Sequence, residues 1–180
     1  MSNLKFLDFL ASSFENLPGV GKKTAKRYAY HVVEKMSLDQ VEEFAKVLVE
    51  TKNKVTNCPI CGMLSLQNPC EICSSKLRDH SKIMVLKDTK DIVAIENIGE
   101  YNGLYHSLNG LISPMDGVGP DNLTIDIIEK RLNDSVDELI IATSFTPAGE
   151  TTALYLEKIF AKKNIIITRL GYGLPAGGDI

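Results

Sequence analysis

Cys58-Pro-Ile-Cys61 and Cys70-Glu-Ile-Cys73 are the stretches whose residue types and spacing specify chemistry most sharply. All four cysteines of the chain fall in these two CxxC pairs. Each pair forms a turn that can aim two sulfurs at one ion, and two turns complete a tetrahedral thiolate shell for one Zn²⁺ per chain. Four thiolates leave no open position for a substrate, so such a site is structural. The loop between the pairs is short and doubles back as a small ribbon, with Pro59, Gly62 and Pro69 as turn residues. A disulfide framework would need an oxidising compartment. Met1 to Ala11 has neither the basic start nor the uninterrupted apolar run of a secretion signal. His80 is near enough in sequence to substitute as a ligand, but four cysteines already close the shell.

A second chemistry is written in Lys22, Lys23, Lys26 and Arg27, which follow the turn Leu17-Pro-Gly19-Val-Gly21 and crowd the start of a helix. A helix N-terminus presents free N–H groups and the positive end of the dipole. Cations placed there oppose the dipole and repel one another, so stability alone does not select them. An anion between them resolves the conflict, and phosphate is the natural candidate, with Gly19 and Gly21 letting backbone amides approach it. The spacing G-x-x-x-x-G-K-[ST] is absent and no strand precedes the turn, so this is not a nucleotide P-loop. Two short helices around Leu-Pro-Gly-Val-Gly look like a helix-hairpin-helix, which grips a nucleic-acid backbone without reading sequence.

The elements that position these groups follow from periodicity. Leu7, Leu10, Ala11 and Phe14 form one helical stripe over Asn3 to Phe14. Ala25, Tyr28, Ala29, Val32, Val33 and Met36 form the apolar stripe of a second helix. Ser37 and Gln40 make a capping box that opens a third, with Leu38, Val41, Phe44, Ala45 and Leu48 expected to face inward. Beyond the cysteines, Ile83–Leu86, Leu104–Leu108, Leu139–Ala142 and Ile165–Thr168 read as strands. Asp88–Ile98, a segment through Ile125, Ile128 and Leu132, and Glu150–Lys162 read as helices. Continuous apolar strands alternating with helices predict a mainly parallel sheet covered on both faces. The fold class is thus α+β and multidomain: 1–55 a helical DNA-binding domain, 56–75 a small four-cysteine zinc finger, and 76–180 an α/β domain. His31 and His106 are expected on a helix surface and within strand packing.

Ligands of such a sheet sit at the carboxyl ends of its strands. The acids available there are Asp88, Asp116, Asp121 and Glu150, and Asp88 and Glu150 read equally well as helix N-terminal residues. No clustered carboxylates for Mg²⁺ are apparent. The net charge of −3 does not advertise nucleic acid, so DNA contact rests on the local basic cluster. No segment is long and apolar enough to span a membrane.

Taken in order, the chain resembles the bacterial recombination mediator family RecR over essentially its whole length. The match rests on Leu17-Pro-Gly-Val-Gly21 with Lys23 and Arg27, the two CxxC pairs, Leu111-Ile-Ser-Pro-Met-Asp-Gly-Val-Gly-Pro-Asp121, and Gly173-Leu-Pro-Ala-Gly-Gly-Asp179. The resemblance implies a helix-hairpin-helix, a zinc finger and a Toprim domain, assembled as a homodimer or a homotetramer ring able to encircle DNA. It implies a bacterial, cytoplasmic, nucleoid-associated protein without enzymatic activity. Such a protein works with RecO and RecF to help RecA replace single-strand-binding protein on gapped or single-stranded DNA. Catalytic Toprim domains carry a glutamate and a DxD pair, and those positions here hold Lys87, Ser144 and Thr146. Phe145 and Pro147-Ala148 also depart from the family's pattern. Family members usually continue past Gly-Gly-Asp, so a truncated chain is expected. The alternatives are a Mg²⁺-dependent Toprim nuclease or topoisomerase-like enzyme, which these three residues disfavour, and a zinc-stabilised interaction module with no DNA role.

Overall fold

The structure is a computed structural model that describes residues 4–171. The motif Gly173–Asp179 lies outside the described residues. The chain divides into two compact units, Met1–Lys54 and Val55–Ile180.

The first unit is helical: α1 (Lys5–Glu15), α2 (Lys22–Lys35) and α3 (Leu38–Lys54). Helices α1 and α2 pack on small residues, with Ala11, Ala25 and Ala29 buried and Phe14 edge-on to Tyr28 at 5.7 Å between ring centroids. The capping box forms as expected. The Ser37 N–H donates to Gln40 Oε1 at 2.9 Å and the Gln40 N–H to Ser37 Oγ at 3.3 Å. The inward face expected of α3 does not form. Leu38 is 71% exposed, Leu48 56% and Phe44 48%, Ala45 is exposed and only Val41 is half-buried. On α2, Val33 is likewise 67% exposed and Tyr28 40%. Periodicity identifies a face that prefers cover, but a three-helix unit this small has no further element to supply it.

The second unit opens with the strands β1 (Thr56–Asn57) and β2 (Leu64–Ser65), an antiparallel ribbon that carries the first CxxC turn. A one-turn helix, α4 (Glu71–Ser74), carries the second. There follow β3 (Asp79–Leu86), α5 (Thr89–Ile98), β4 (Gly103–Ser107), α6 (Ile125–Arg131), β5 (Glu138–Ile141), α7 (Pro147–Phe160) and β6 (Ile166–Arg169). The last four strands form one sheet in the order β4-β3-β5-β6, every pair parallel.

Strand β3 explains why the apolar run is unbroken. Ile83 and Val85 join Leu139, Ile128, Leu156 and Phe160 on one face, while Met84 and Leu86 join Ile92 and Tyr105 on the other. Alternate side chains enter different cores, so both registers must be apolar. Each fully buried aliphatic or aromatic side chain contributes about 1.5–3 kcal/mol. Helix α7 begins three residues earlier than Glu150, because Thr146 caps it through the Gly149 N–H and Pro147 suits the first helical position.

Candidate nucleic-acid interface and metal site

The four cysteine sulfurs lie within 4.8 Å of one another. Cys61 Sγ and Cys70 Sγ are 3.6 Å apart. A Zn–S bond of about 2.3 Å gives a tetrahedral sulfur–sulfur edge of about 3.8 Å, so the donor set fits such an ion. Local backbone builds the cluster: the Gly62 N–H donates to the Cys58 carbonyl, and the Cys58 N–H to the Met63 carbonyl, closing the first turn. The N–H of Cys70 points at Cys58 Sγ and that of Cys73 at Cys70 Sγ, both at 3.4 Å, as donors suited to thiolates. Gly62 is required twice over. Its φ is +75°, and a Cβ there would stand 2.7 Å from the Ser107 carbonyl oxygen.

Three of the cysteines are buried and Cys73 is half-buried. Burial pushes the Cys70 thiol up to about 11, and the hydrogen bond to Cys61 together with burial pushes Cys73 up as well. The hydrogen bond from Cys73 holds Cys61 down at about 5. Neighbouring thiolates oppose one another's ionisation, and a cation among them would relieve that repulsion. The grouping suggests a metal site. His80 is not part of it, because its Nε2 lies 2.9 Å from the Ser75 carbonyl oxygen.

The knuckle is fastened to the sheet. The Ser107 N–H on β4 donates to the Cys61 carbonyl at 2.7 Å, and the Leu64 N–H to Thr89 Oγ1 at the start of α5 at 2.8 Å. β4 is an edge strand, and the knuckle occupies its Ser107 N–H. Two neighbours sit beside this junction: His106, expected within strand packing, and Arg131, which sequence reasoning missed. His106 is fully buried on β4, and Arg131 at the end of α6 donates from Nη1 to its Nδ1 at 3.2 Å and to the Tyr105 carbonyl at 2.7 Å. His106 Nδ1 is therefore an acceptor, and the ring proton on Nε2 donates to the Thr124 carbonyl at 3.0 Å. Burial, and then the Arg131 charge, lower its pKa to about 3. A lone arginine at the end of a short helix carries no signal in sequence beyond favouring the dipole.

In the first unit, Gly19 has φ +78° and turns the chain into α2, whose N-cap, Gly21, offers no side-chain acceptor. The first turn of α2 contains no acid. Lys22, Lys23 and Lys26 line one hollow together with Asp8, Ser12 and Glu15. Arg27 stands apart from that hollow, with its guanidinium 5.6 Å from the Tyr28 ring centroid. Among the described residues, none of the four cations enters an ion pair.

At the carboxyl ends of the sheet strands, Lys87, Ser144 and Thr146 are exposed, and Ser144 Oγ and Thr146 Oγ1 are 2.9 Å apart. Three of the nearby acids are engaged in structure. Asp88 caps α5 through the Lys90 and Asp91 N–H groups, Asp116 accepts from Ser113 Oγ, and Glu150 pairs with Arg169 at 2.6 Å. Only the cysteines group as a metal site among the described residues.

The family model for the helix-hairpin-helix of RecR matches residues 7–52, and that for the Toprim domain matches residues 81–171. The Recombination protein RecR of Staphylococcus aureus strain MRSA252 is 47% identical over 172 residues, 95% of this chain and 86% of that protein. That of Streptococcus thermophilus is 48% identical over the same shares, and that of Lactobacillus delbrueckii subsp. bulgaricus 46% identical over 173 residues. The chain belongs to the RecR family. As a RecR-family protein it has a role in DNA recombination and repair, with the helical hairpin in its first unit and the Toprim sheet in its second. No helix among the described residues is long and apolar enough to cross a membrane.

Proposed function

We propose that this RecR-family chain is a non-catalytic mediator that binds DNA through its phosphate backbone. It acts with RecO and RecF to help load RecA on gapped or single-stranded DNA coated by single-strand-binding protein. The observation that carries the DNA role is the start of α2: no side chain caps it, no acid lies in its first turn, and four of its first six residues are cations. Lys22, Lys23, Lys26 and Arg27 supply charge, and the turn at Gly19 and Gly21 lets backbone N–H groups face a phosphate. Residues 1–55 are then the DNA-binding domain, 56–75 the zinc finger and 76–180 the Toprim-like domain. The setting is the bacterial cytoplasm, at the nucleoid.

The bound metal is one structural Zn²⁺, held by Cys58, Cys61, Cys70 and Cys73. Exclusively thiolate donors at tetrahedral spacing favour zinc among abundant divalent ions. The assembly is a homodimer or homotetramer ring. Its support is the uncovered apolar surface of α1 and α3, where Phe6 is 89% exposed, Phe9 66% and Leu38 71%. Apolar area of that kind marks an interface, and a second copy of the chain is its occupant. Lys87, Ser144 and Thr146 offer no carboxylate for Mg²⁺, which supports binding without catalysis. Mg²⁺-dependent nicking by the purified chain would overturn that part.

The deciding experiment measures DNA affinity against salt for Lys23→Ala combined with Arg27→Ala. The double variant is expected to bind more weakly, with its salt slope flattened by about one unit for each phosphate it no longer neutralises. An unchanged slope removes these residues from the interface.

A further inference from the structure

Arg27 differs from the three lysines that precede it on α2. Lys22, Lys23 and Lys26 line one hollow, whereas the Arg27 guanidinium lies over the ring of the next residue, Tyr28, 5.6 Å from its centroid. Neighbouring side chains on a helix diverge, so helix geometry does not by itself bring this pair together. A cation over a tyrosine face is held by the ring's quadrupole. Both side chains are exposed, Tyr28 by 40%, so their contact is not a by-product of burial.

The Tyr28 ring is itself braced. Phe14 on α1 meets it edge-on, with centroids 5.7 Å apart and ring planes 73° apart. This T-shaped arrangement is a preferred aromatic geometry and restrains the ring. A line of contacts thus runs from α1 through two rings to one guanidinium. Attraction to a ring acts on the charge and does not use up the N–H donors as a carboxylate would, so the guanidinium fork still suits a phosphate. A side chain already held in place also loses less freedom when it binds. We propose that Tyr28 is a positioning residue for DNA binding: its ring, braced by Phe14, holds Arg27 ready for a backbone phosphate. The proposal rests on the reading of the α2 start as the DNA contact, and it gives Tyr28 no contact with DNA of its own.

The test is a double-mutant cycle on the affinity of the full chain for a single-stranded oligonucleotide at one fixed salt concentration. Arg27→Ala is read first, and if it does not weaken binding, the phosphate contact of Arg27 and the proposal fall together. Where it does, Tyr28→Leu keeps an apolar side chain but removes the ring, and is expected to weaken binding about two- to five-fold. Tyr28→Phe keeps the ring and should stay within about two-fold of the parent chain. In the Arg27→Ala background, Tyr28→Leu should have no further effect. Phe14→Leu removes the brace instead. It should give a smaller loss, again only where Arg27 is present, and it carries the test should Tyr28→Leu fail to fold. Tyr28 also lines an apolar hollow with Val32, Met36 and Phe44, and a role in self-association there would weaken binding equally in both backgrounds. An equal loss in both backgrounds, a loss as large in Tyr28→Phe, or unchanged binding in Tyr28→Leu overturns the proposal while leaving the phosphate contact of Arg27 standing.

Discussion

The two units of this chain bury their apolar side chains in opposite ways. In Met1–Lys54 the buried residues among those described are Ala11, Ala25 and Ala29, and α3 has none. In Val55–Ile180 two cores flank a four-stranded sheet and enclose Tyr105, Phe160, Ile128 and Leu156 almost completely. In the second unit the cysteine knuckle is tied to edge strand β4 by the Ser107 N–H. In the first, many large apolar residues are uncovered, Phe6, Phe9, Val33 and Leu38 among them. A unit of that size sits near the lower limit for independent stability, and association is the usual remedy. The contrast predicts a division: the sheet unit as the source of stability, and the helical unit as the part whose exposed side chains can be changed at little cost.

Substitutions test that division. Phe160→Ala empties a site 1% exposed in the larger core and should cost about 3–5 kcal/mol, read from denaturant unfolding. A loss under about 1 kcal/mol would mean that the sheet core is not the source of stability.

Acid probes the knuckle–sheet junction through His106. Its folded pKa of about 3 lies below the ordinary 6.5, so between those values the unfolded chain binds the extra proton. The stability it confers is fully present above about pH 6.5 and declines as pH falls, by about 1.4 kcal/mol per unit, until it is gone near pH 3. From about pH 6.5 to about pH 5 that is about 2 kcal/mol. His106→Gln should flatten this dependence, and an equal slope in both proteins would remove His106 as its source.

The smallest effect on stability is expected in the helical unit. Phe44→Asp, at a side chain 48% exposed, should change unfolding of the single chain by no more than about 0.5 kcal/mol. The same change should weaken self-association, followed by light scattering. If it destabilises the chain strongly and leaves association intact, the contrast between the units fails.

Much of this protein is legible in its residues. Two CxxC pairs specify a four-cysteine cluster because each turn is local. The alternation of apolar strands with helices specifies a parallel sheet, because only a doubly covered strand needs both registers apolar. Gly19 and Gly21 announce the turn into α2, because the chain there takes a positive φ at Gly19 and leaves the helix start without a side-chain cap. The tertiary structure decided the rest. An inward face was expected for α3, yet Leu38, Phe44 and Leu48 remain exposed, since periodicity names a face and not its partner. Nothing in the sequence linked Arg131 to Tyr105 or His106, or the Cys61 carbonyl to Ser107. Those pairings join residues 26, 25 and 46 positions apart, brought together by sheet order and helix placement rather than by any local pattern.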